Sequence, residues 1–184
     1  MSRNDLKGKT VLIAGGGKNL GGLLARDFAK KGAANIAIHY NSASSRAAAE
    51  ATLADVQAAG ASGFLFQADL SQIDNIRKFF DETKKQFGGV DIAINTVGKV
   101  LKKPYIETTE AEYDSMADIN AKVAYFFILE AGRMLNDHGK ICTIVTSLLA
   151  AYTGLYSTYA GQKAPVEHYT RAGSKEFGVR GISV

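Results

Sequence analysis

The sequence has little cysteine and little proline: its 184 residues include one cysteine and two prolines. A single cysteine excludes an internal disulfide and a metal site built from several thiolates. Because Cys142 lies in the apolar run KICTIV, we expect a small buried core residue rather than a nucleophile. The three histidines, His39, His138 and His168, are scattered along the chain. No metal site is therefore expected.

Long hydrophobic runs are also missing. The apolar stretches are short and broken by Gly, Lys or Asp, which excludes a transmembrane span. The N-terminal MSRNDLKGKT has no apolar signal core, so a cytoplasmic location is expected. The net charge of +4 comes with short lysine pairs rather than a basic stripe, which argues against nucleic-acid binding. With 46% hydrophobic residues and no linker or internal repeat, residues 1–184 are predicted to form one domain.

Five short apolar runs recur along the chain and are predicted to be β-strands. They are residues 10–14, 36–40, 63–68, 90–96 and 140–146. Helical segments are predicted at residues 20–31, 42–59, 73–87, 110–136 and 158–177. Strands that are apolar throughout, alternating with helices, indicate an α/β fold with a doubly wound parallel sheet and helices on both faces. The final GISV looks like the beginning of a sixth strand, so the chain looks truncated at its C-terminus.

Glycines cluster between the first strand and the first helix, in TVLIAGGGKNLGGLLARDF. Without side chains, the backbone can approach a pyrophosphate, whose charge is stabilised by the N-terminal end of the helix. A glycine cluster at this place predicts a dinucleotide site in a Rossmann-like fold. The candidate contacts in this loop are Gly15, Gly17, Lys18, Asn19, Leu20 and Gly21.

The end of the second strand bears on the choice between NAD and NADP. An NAD site of this layout usually has an acidic residue there, which accepts a hydrogen bond from the ribose 2′-hydroxyl. This chain instead has HYNS, with no carboxylate before Glu50. A 2′-phosphate would find donors and cations nearby. NADP is therefore preferred over NAD, with the candidate contacts Tyr40, Asn41, Ser42, Arg46 and Lys18.

Several motifs, in order, resemble the common branch of the short-chain dehydrogenases/reductases. The glycine loop is similar to the TGxxxGxG signature, with Ala14 and Asn19 as departures. Asparagine tolerates positive φ better than most residues, so the loop shape is expected to persist. Further resemblances run through to the YxxxK motif of the fifth helical segment; they are Asp69-Leu70, Asn95-Thr96-Val97-Gly98, Asn120 and Tyr159-Ala160-Gly161-Gln162-Lys163.

The resemblance implies a reaction and a role for each matching residue. The reaction would interconvert a small-molecule carbonyl and an alcohol, with Tyr159 as the acid/base. Lys163 would assist the phenol and hold the nicotinamide ribose, because a nearby cation makes a phenol a better proton donor at neutral pH. Asn120 would orient a relay water. Further cofactor contacts would come from Asp69, Leu70, Asn95, Val97 and Gly98.

The hydroxyl that anchors the carbonyl is left open between two neighbours. The family's serine lies 13 positions before the tyrosine, which is Thr146 here, whereas residue type favours Ser147. Either hydroxyl can donate and accept a hydrogen bond. The resemblance also implies a homodimer or homotetramer that pairs the two long helices.

Two other functions remain possible from the sequence. On a helix, Tyr156 would return near Lys163 after seven residues, and this Tyr-x6-Lys spacing resembles the divergent enoyl-acyl-carrier-protein reductases. Those enzymes reduce a conjugated C=C bond of a thioester. The atypical glycine loop leaves a third reading, a non-catalytic NADP-binding sensor or scaffold. In the main interpretation Tyr152 and Tyr156 line the substrate pocket.

Overall fold

The computed structural model describes residues 6–184. Their five strands form one parallel sheet. The expectation about a secretory signal concerns residues 1–10, of which residues 1–5 lie outside the described residues. The strand order in the sheet is β3-β2-β1-β4-β5. The strands are β1 Thr10–Ala14, β2 Asn35–Tyr40, β3 Ser62–Gln67, β4 Val90–Asn95 and β5 Leu135–Thr143. The doubly wound parallel sheet predicted from the sequence is confirmed.

Helices cover both faces of this sheet. They are α1 Asn19–Lys30, α2 Arg46–Ala58, α3 Ile73–Phe87, α4 Glu110–Met116, α5 Val123–Met134 and α6 Ser157–Glu176. A π-helical stretch, Ala117–Lys122, joins α4 to α5. The helix predicted over 110–136 is therefore continuous from Glu110 to Met134 with a local widening, and it ends two residues earlier than predicted, where β5 begins. Within the described residues, none of the helices has the length and apolarity needed to cross a membrane.

The side chains of β1 point alternately to the two faces of the sheet and contribute to two core layers. Val11 and Ile13 pack with Ala25 of α1 and Val56 of α2, and Leu12 packs into the layer formed with α3 and α5. Successive side chains of a strand point to opposite faces, so both layers need apolar residues. All five residues of β1 are buried, which explains its continuous apolar run.

The order of the strands places the site. The chain winds outward from β1 to β3 and then returns to place β4 on the other side of β1. Such a reversal opens a crevice at the carboxyl ends of the strands, where ligands of open α/β sheets bind. The loops after β1 and β4 meet there, and the backbone N–H of Thr96 donates to the Ala14 carbonyl at 3.0 Å.

Several predicted boundaries were wrong, and the largest differences are in the fifth strand and the second helix. The fifth strand was predicted over 140–146, but β5 runs from Leu135 to Thr143. Its register explains the end: Thr143 pairs with Asn95, where β4 stops, so later residues have no strand to pair with. The second helix was predicted from residue 42, but a 3₁₀ turn, Ala43–Ser45, comes first and α2 starts at Arg46.

Cys142 is exposed, so the prediction of a buried core cysteine was wrong. Its neighbour Ile141 packs into the layer with α3 and α5, so Cys142 points to the opposite face. On that face, α1 and α2 pack over β1 and β2. Because β5 is the edge strand of the sheet, separated from β1 by β4, Cys142 lies away from these helices. Beyond β5, Ser183 forms a parallel bridge to Lys140, which agrees with the expected beginning of another strand.

Candidate active site

The loop after β1 has the backbone shape that a glycine-rich phosphate site needs. Gly15 has φ +77° and Asn19 has φ +50°. Both values lie in the left-handed region, which glycine adopts freely and asparagine tolerates. The expectation that Asn19 preserves the loop is confirmed by its φ.

Close packing around the loop leaves no space for side chains. A Cβ on Gly21 would lie 2.2 Å from the Gly15 carbonyl oxygen, and one on Gly15 would lie 2.5 Å from Thr96 Oγ1. A Cβ on Gly17 would come within 3.0 Å of Tyr40 and Ala49. The missing side chains therefore let β1, α1 and the loop after β4 approach one another, as a pyrophosphate cradle requires.

The N-terminus of α1 faces the cleft with its donors free of side-chain caps. Lys18, the capping residue, is extended and makes no side-chain cap hydrogen bond, and the first turn contains no acidic residue. The first N–H groups of a helix lack intrahelical partners and carry a partial positive charge. This arrangement fits the pyrophosphate of a dinucleotide.

Two buried polar residues hydrogen-bond to the backbone of the glycine loop and hold its shape. Thr52 of α2 donates from Oγ1 to the Gly17 carbonyl at 2.9 Å. His39 of β2 accepts from the Gly15 N–H at Nδ1, at 3.0 Å. Sequence reasoning assigned neither residue to the site, because each contact depends on tertiary packing rather than on a local motif.

A cleft of about 760 Å³ opens above the carboxyl ends of the strands. Most of the predicted cofactor contacts line it: Gly15, Gly17, Lys18, Asn19, Leu20, Gly21, Tyr40, Asn41, Asp69, Leu70, Val97 and Gly98. Ser71, Lys99, Ser115, Asp118 and Ile119 also line it and were not predicted. The same described region, residues 6–184, contains no cluster of three or more His, Cys, Asp or Glu side chains that could hold a metal ion.

Near the end of β2, the structure brings Ser45 to the cleft where Ser42 and Arg46 had been expected. Ser45 is buried in the 3₁₀ turn, whereas Arg46 forms a salt bridge with Glu50 at 2.8 Å. Ser42 shares a hydrogen bond with Ser44 and does not line the cleft. The extra turn before α2 causes this shift of the side chains that face the cleft. Sequence periodicity could not show the turn.

The residues after β4 form a tight corner above the sheet. Asn95 is buried and accepts from the Val97 N–H at 2.9 Å, which holds the chain as it leaves the strand. Thr96 donates from its hydroxyl to the Ala14 carbonyl at 2.9 Å. Asn95 therefore positions the corner from below, while Val97 and Gly98 face the cleft.

Asn120 lies in the π-helical stretch between α4 and α5 and is buried. Its Nδ2 donates to the Met116 carbonyl at 3.1 Å and to the Lys99 carbonyl at 3.0 Å. Its Oδ1 accepts from the Lys99 N–H at 3.2 Å. Single-turn π-helical widenings are common at functional sites. Here the widened turn directs an amide toward the loop after β4.

Lys163 is buried in α6 and meets the same corner. Its Nζ donates to the carbonyls of Val97 at 3.2 Å and Ile144 at 3.1 Å. A Cβ on Gly98 would lie 3.0 Å from both Lys163 Nζ and Asn120 Oδ1, so the two side chains converge on one glycine. An ammonium has three N–H donors, so one remains for a ligand. Burial lowers the pKa of Lys163 to about 8.

This lowered pKa gives a pH prediction for stability. Burial penalises the ammonium, so between pH ~8 and ~10.5 the unfolded chain binds more protons than the folded one. The free energy of unfolding of the wild type should therefore rise, relative to Lys163→Met, as the pH increases through that interval. Urea unfolding at pH ~8 and ~10 measures the difference. The exposed Lys140→Met is the control and should follow the wild type; identical behaviour of Lys163→Met and wild type would contradict the prediction.

The two tyrosines before Lys163 have different positions in the structure. Tyr159 is half-buried in the first turn of α6, one turn before Lys163. Tyr156 is the residue before the helix, with φ −116° and ψ 23°, so the helical seven-residue spacing does not apply to it. Its ring packs against Tyr159 at 6.5 Å between centroids and lies 5.9 Å from Lys102 Nζ.

The two candidate anchor hydroxyls follow β5. Thr146 is half-buried, and its Oγ1 accepts from the Leu148 N–H at 3.3 Å, which caps the short 3₁₀ turn Ser147–Leu149. Ser147 is exposed and belongs to that turn. A hydroxyl that accepts one hydrogen bond still has its own proton to donate. Thr146 is thus fixed in orientation and retains a donor.

Taken together, the fold and the cleft define a dinucleotide-binding α/β protein. A family model described as Enoyl-(Acyl carrier protein) reductase matches residues 15–184. A hydroxynaphthalene reductase-like protein, Arp2, from Metarhizium brunneum is 32% identical over 182 residues, which are 98% of this chain and 67% of that protein. The chain belongs to the short-chain dehydrogenase/reductase family and is an oxidoreductase of that type.

Solved structures agree with this placement. A dehydrogenase from Burkholderia cenocepacia with bound NADP is 62% identical, with a TM-score of 0.97 over 100% of this chain and 69% of that one. A short-chain dehydrogenase from Oenococcus oeni is 54% identical, with a TM-score of 0.82 over 100% of this chain and 79% of that one. The chain thus spans about two thirds to four fifths of these relatives.

Proposed function

We propose that this chain is an NADP-dependent reductase that interconverts a carbonyl and an alcohol, such as a ketone or a 3-oxoacyl compound. The convergence of Lys163 and Asn120 on Gly98, one helical turn from Tyr159, carries the proposal. It places a cation and an amide beside Gly98, which lines the glycine-rich cofactor cleft. The fungal relative's name, hydroxynaphthalene reductase-like protein Arp2, is consistent with a reductase.

Three observations support NADP as the cofactor. The cleft wall at the end of β2 is formed by Tyr40, Asn41 and Ser45, none of them acidic, and Lys18 lies on the same cleft. Polar donors and a cation suit a 2′-phosphate, whereas an NAD site usually presents a carboxylate. The Burkholderia relative binds NADP, and a metagenomic blue fluorescent protein, 31% identical, was crystallised with NADPH.

When bound in this cleft, NADPH would supply the hydride for reduction of the carbonyl carbon. Tyr159 donates its phenolic proton to the carbonyl oxygen, so that the alcohol forms as the oxygen gains charge. Thr146 donates a hydrogen bond that holds this oxygen. Lys163 supplies a cation near the phenol and a free N–H for the ribose. Asn120 positions the relay that returns a proton to Tyr159.

Enoyl-thioester reduction is a second candidate, because the matching family model is described by that activity. It would use Tyr156 as the proton donor. The position of Tyr156 outside α6, packed against Tyr159 and near Lys102, favours a pocket wall instead.

Measuring NADPH oxidation with a ketone and with a 3-oxoacyl thioester tests the main proposal. NADPH binding without turnover of any substrate would favour a sensor.

Cofactor preference gives a direct prediction at Asn41. Replacement by Asp places a negative charge beside the 2′-phosphate, so the KM for NADPH should rise about tenfold while the KM for NADH does not. Steady-state kinetics with both cofactors measure the ratio. Asn41→Ser removes the amide without adding charge and is the matched control. An unchanged KM for NADPH in Asn41→Asp would contradict the proposed 2′-phosphate site.

The proposed assembly is a homodimer or homotetramer. Tyr125 is exposed on α5, and its ring packs edge-on against Tyr169 of α6 at 5.1 Å, which gives the two helices a common aromatic surface. Family members usually pair these helices across a subunit interface. The oligomeric state and the expected cytoplasmic location stay predictions.

A further inference from the structure

His39 has no role in the chemistry described above, yet it joins three strand ends beside the cleft. It is 2% exposed at the end of β2. Its Nδ1 accepts from the Gly15 N–H after β1, and its Nε2 bonds the Ala68 carbonyl after β3 at 2.9 Å. These bonds place the proton on Nε2, because a backbone N–H needs an acceptor and a carbonyl needs a donor.

The neutral form of the ring is the one that these two bonds require. Burial lowers the pKa of His39 to about 4, although the Ala68 bond and the nearby Asp69 both favour the charged form. The ring packs against Phe79 at 5.9 Å between centroids. A neutral imidazole with a fixed tautomer and a packed face is a rigid acceptor for the Gly15 N–H.

The Gly15 peptide is the point at which the strand and the helix of the cradle meet. Its carbonyl oxygen packs directly on Gly21 in the first turn of α1, where a Cβ would lie 2.2 Å away. Its N–H is held by His39. The orientation of this one residue, with φ +77°, therefore fixes the end of β1 relative to the helix N-terminus that faces the cleft.

We propose that His39 is a positioning residue for the dinucleotide: its Nδ1 holds Gly15, and with it the glycine loop, in the shape that receives the pyrophosphate. The inference rests on the proposed cofactor. It assigns different consequences to the two bonds of the ring. The bond to Gly15 supports cofactor binding, whereas the bond to Ala68 orients the ring and stabilises the fold.

Two amide variants separate these bonds. Asparagine places Oδ1 near the position of Nδ1, so His39→Asn can keep the bond to Gly15 and lose the one to Ala68. Glutamine places Nε2 near the ring Nε2, so His39→Gln keeps the bond to Ala68 and loses the one to Gly15. Each variant loses one hydrogen bond, so both should lose similar amounts of stability. Only cofactor affinity should distinguish them.

Fluorescence titration of the protein with NADPH tests the proposal. We expect the Kd of His39→Gln to rise about tenfold and that of His39→Asn to stay within about threefold of wild type. Adenosine 2′-monophosphate, which has no pyrophosphate, should bind wild type and His39→Gln equally. Asp91→Ala is the stability control, because Asp91 accepts from the Thr10 N–H at the other end of β1 at 2.9 Å. It should lower the melting temperature without changing the Kd for NADPH.

The outcomes separate this inference from the cofactor proposal. Equal NADPH affinities of His39→Gln and wild type would overturn the role of His39 while leaving the cofactor in place. Equal losses of NADPH affinity in both amide variants and in Asp91→Ala would also overturn it, because they would show that affinity follows the general stability of the fold. If the wild type did not bind NADPH, the proposed cofactor would fall, and this inference with it.

Discussion

Tyr159→Phe is expected to lower kcat for carbonyl reduction by about a thousandfold, because the variant retains the ring but has no proton to donate to the developing alkoxide. The ring of Tyr159 is half-buried and packs against Tyr156, so the phenylalanine should occupy the same place. The Kd for NADPH should stay within about threefold of wild type, since the cradle and the corner above β4 are unchanged. Single-turnover oxidation of NADPH with a ketone measures the effect.

Tyr156→Phe is the matched control for this experiment. It makes the same chemical change three residues earlier, on a residue that precedes α6 and lies 5.9 Å from Lys102 Nζ. We expect its kcat to stay within about tenfold of wild type, because it loses no proton transfer. Full activity of Tyr159→Phe together with an inactive Tyr156→Phe would contradict the assignment and favour enoyl reduction.

Gly21→Ala is expected to have the second large effect, a loss of NADPH affinity of about a hundredfold or more. Its Cβ would lie 2.2 Å from the Gly15 carbonyl oxygen and 2.8 Å from the Gly15 carbonyl carbon. Both are backbone atoms, so the loop or the first turn of α1 must move. Either movement changes the cradle that receives the pyrophosphate. Calorimetric titration with NADPH gives the Kd.

Gly178→Ala is the control for Gly21→Ala. Its Cβ would meet nothing within 4 Å, so it adds the same methyl group without a clash. Its affinity for NADPH should equal that of the wild type. Circular dichroism of both variants shows whether the sheet is retained. An affinity of Gly21→Ala within about threefold of wild type would show that the cleft does not bind the cofactor in this way.

The elements that could be predicted are those whose signal is local. β1 was predicted with its observed bounds because a strand buried on both faces reads as one apolar run. α3 was also predicted with its observed bounds, since it ends at Gly88, which has φ +83°. The positive φ of Asn19 followed from residue type and position. In each case, neighbouring residues contain the physical cause.

The features that sequence reasoning missed depend on partners far away in the chain. The end of β5 is set by the end of β4, and the exposure of Cys142 follows from the edge position of its strand. The alternative that pairs Tyr156 with Lys163 across seven residues requires both to lie on one helix, but α6 begins one residue after Tyr156. The role of His39 requires the ends of β1, β2 and β3 to meet, which no local pattern records.

Substrate discrimination by the wild-type protein tests the central claim most directly. Initial rates of NADPH oxidation should be compared for a simple ketone, a 3-oxoacyl thioester and an enoyl thioester at equal concentrations. The account predicts turnover of at least one carbonyl substrate, with the alcohol as product, and no saturation of the enoyl C=C bond. Reduction of the enoyl thioester alone, with no alcohol formed from either carbonyl compound, would contradict it.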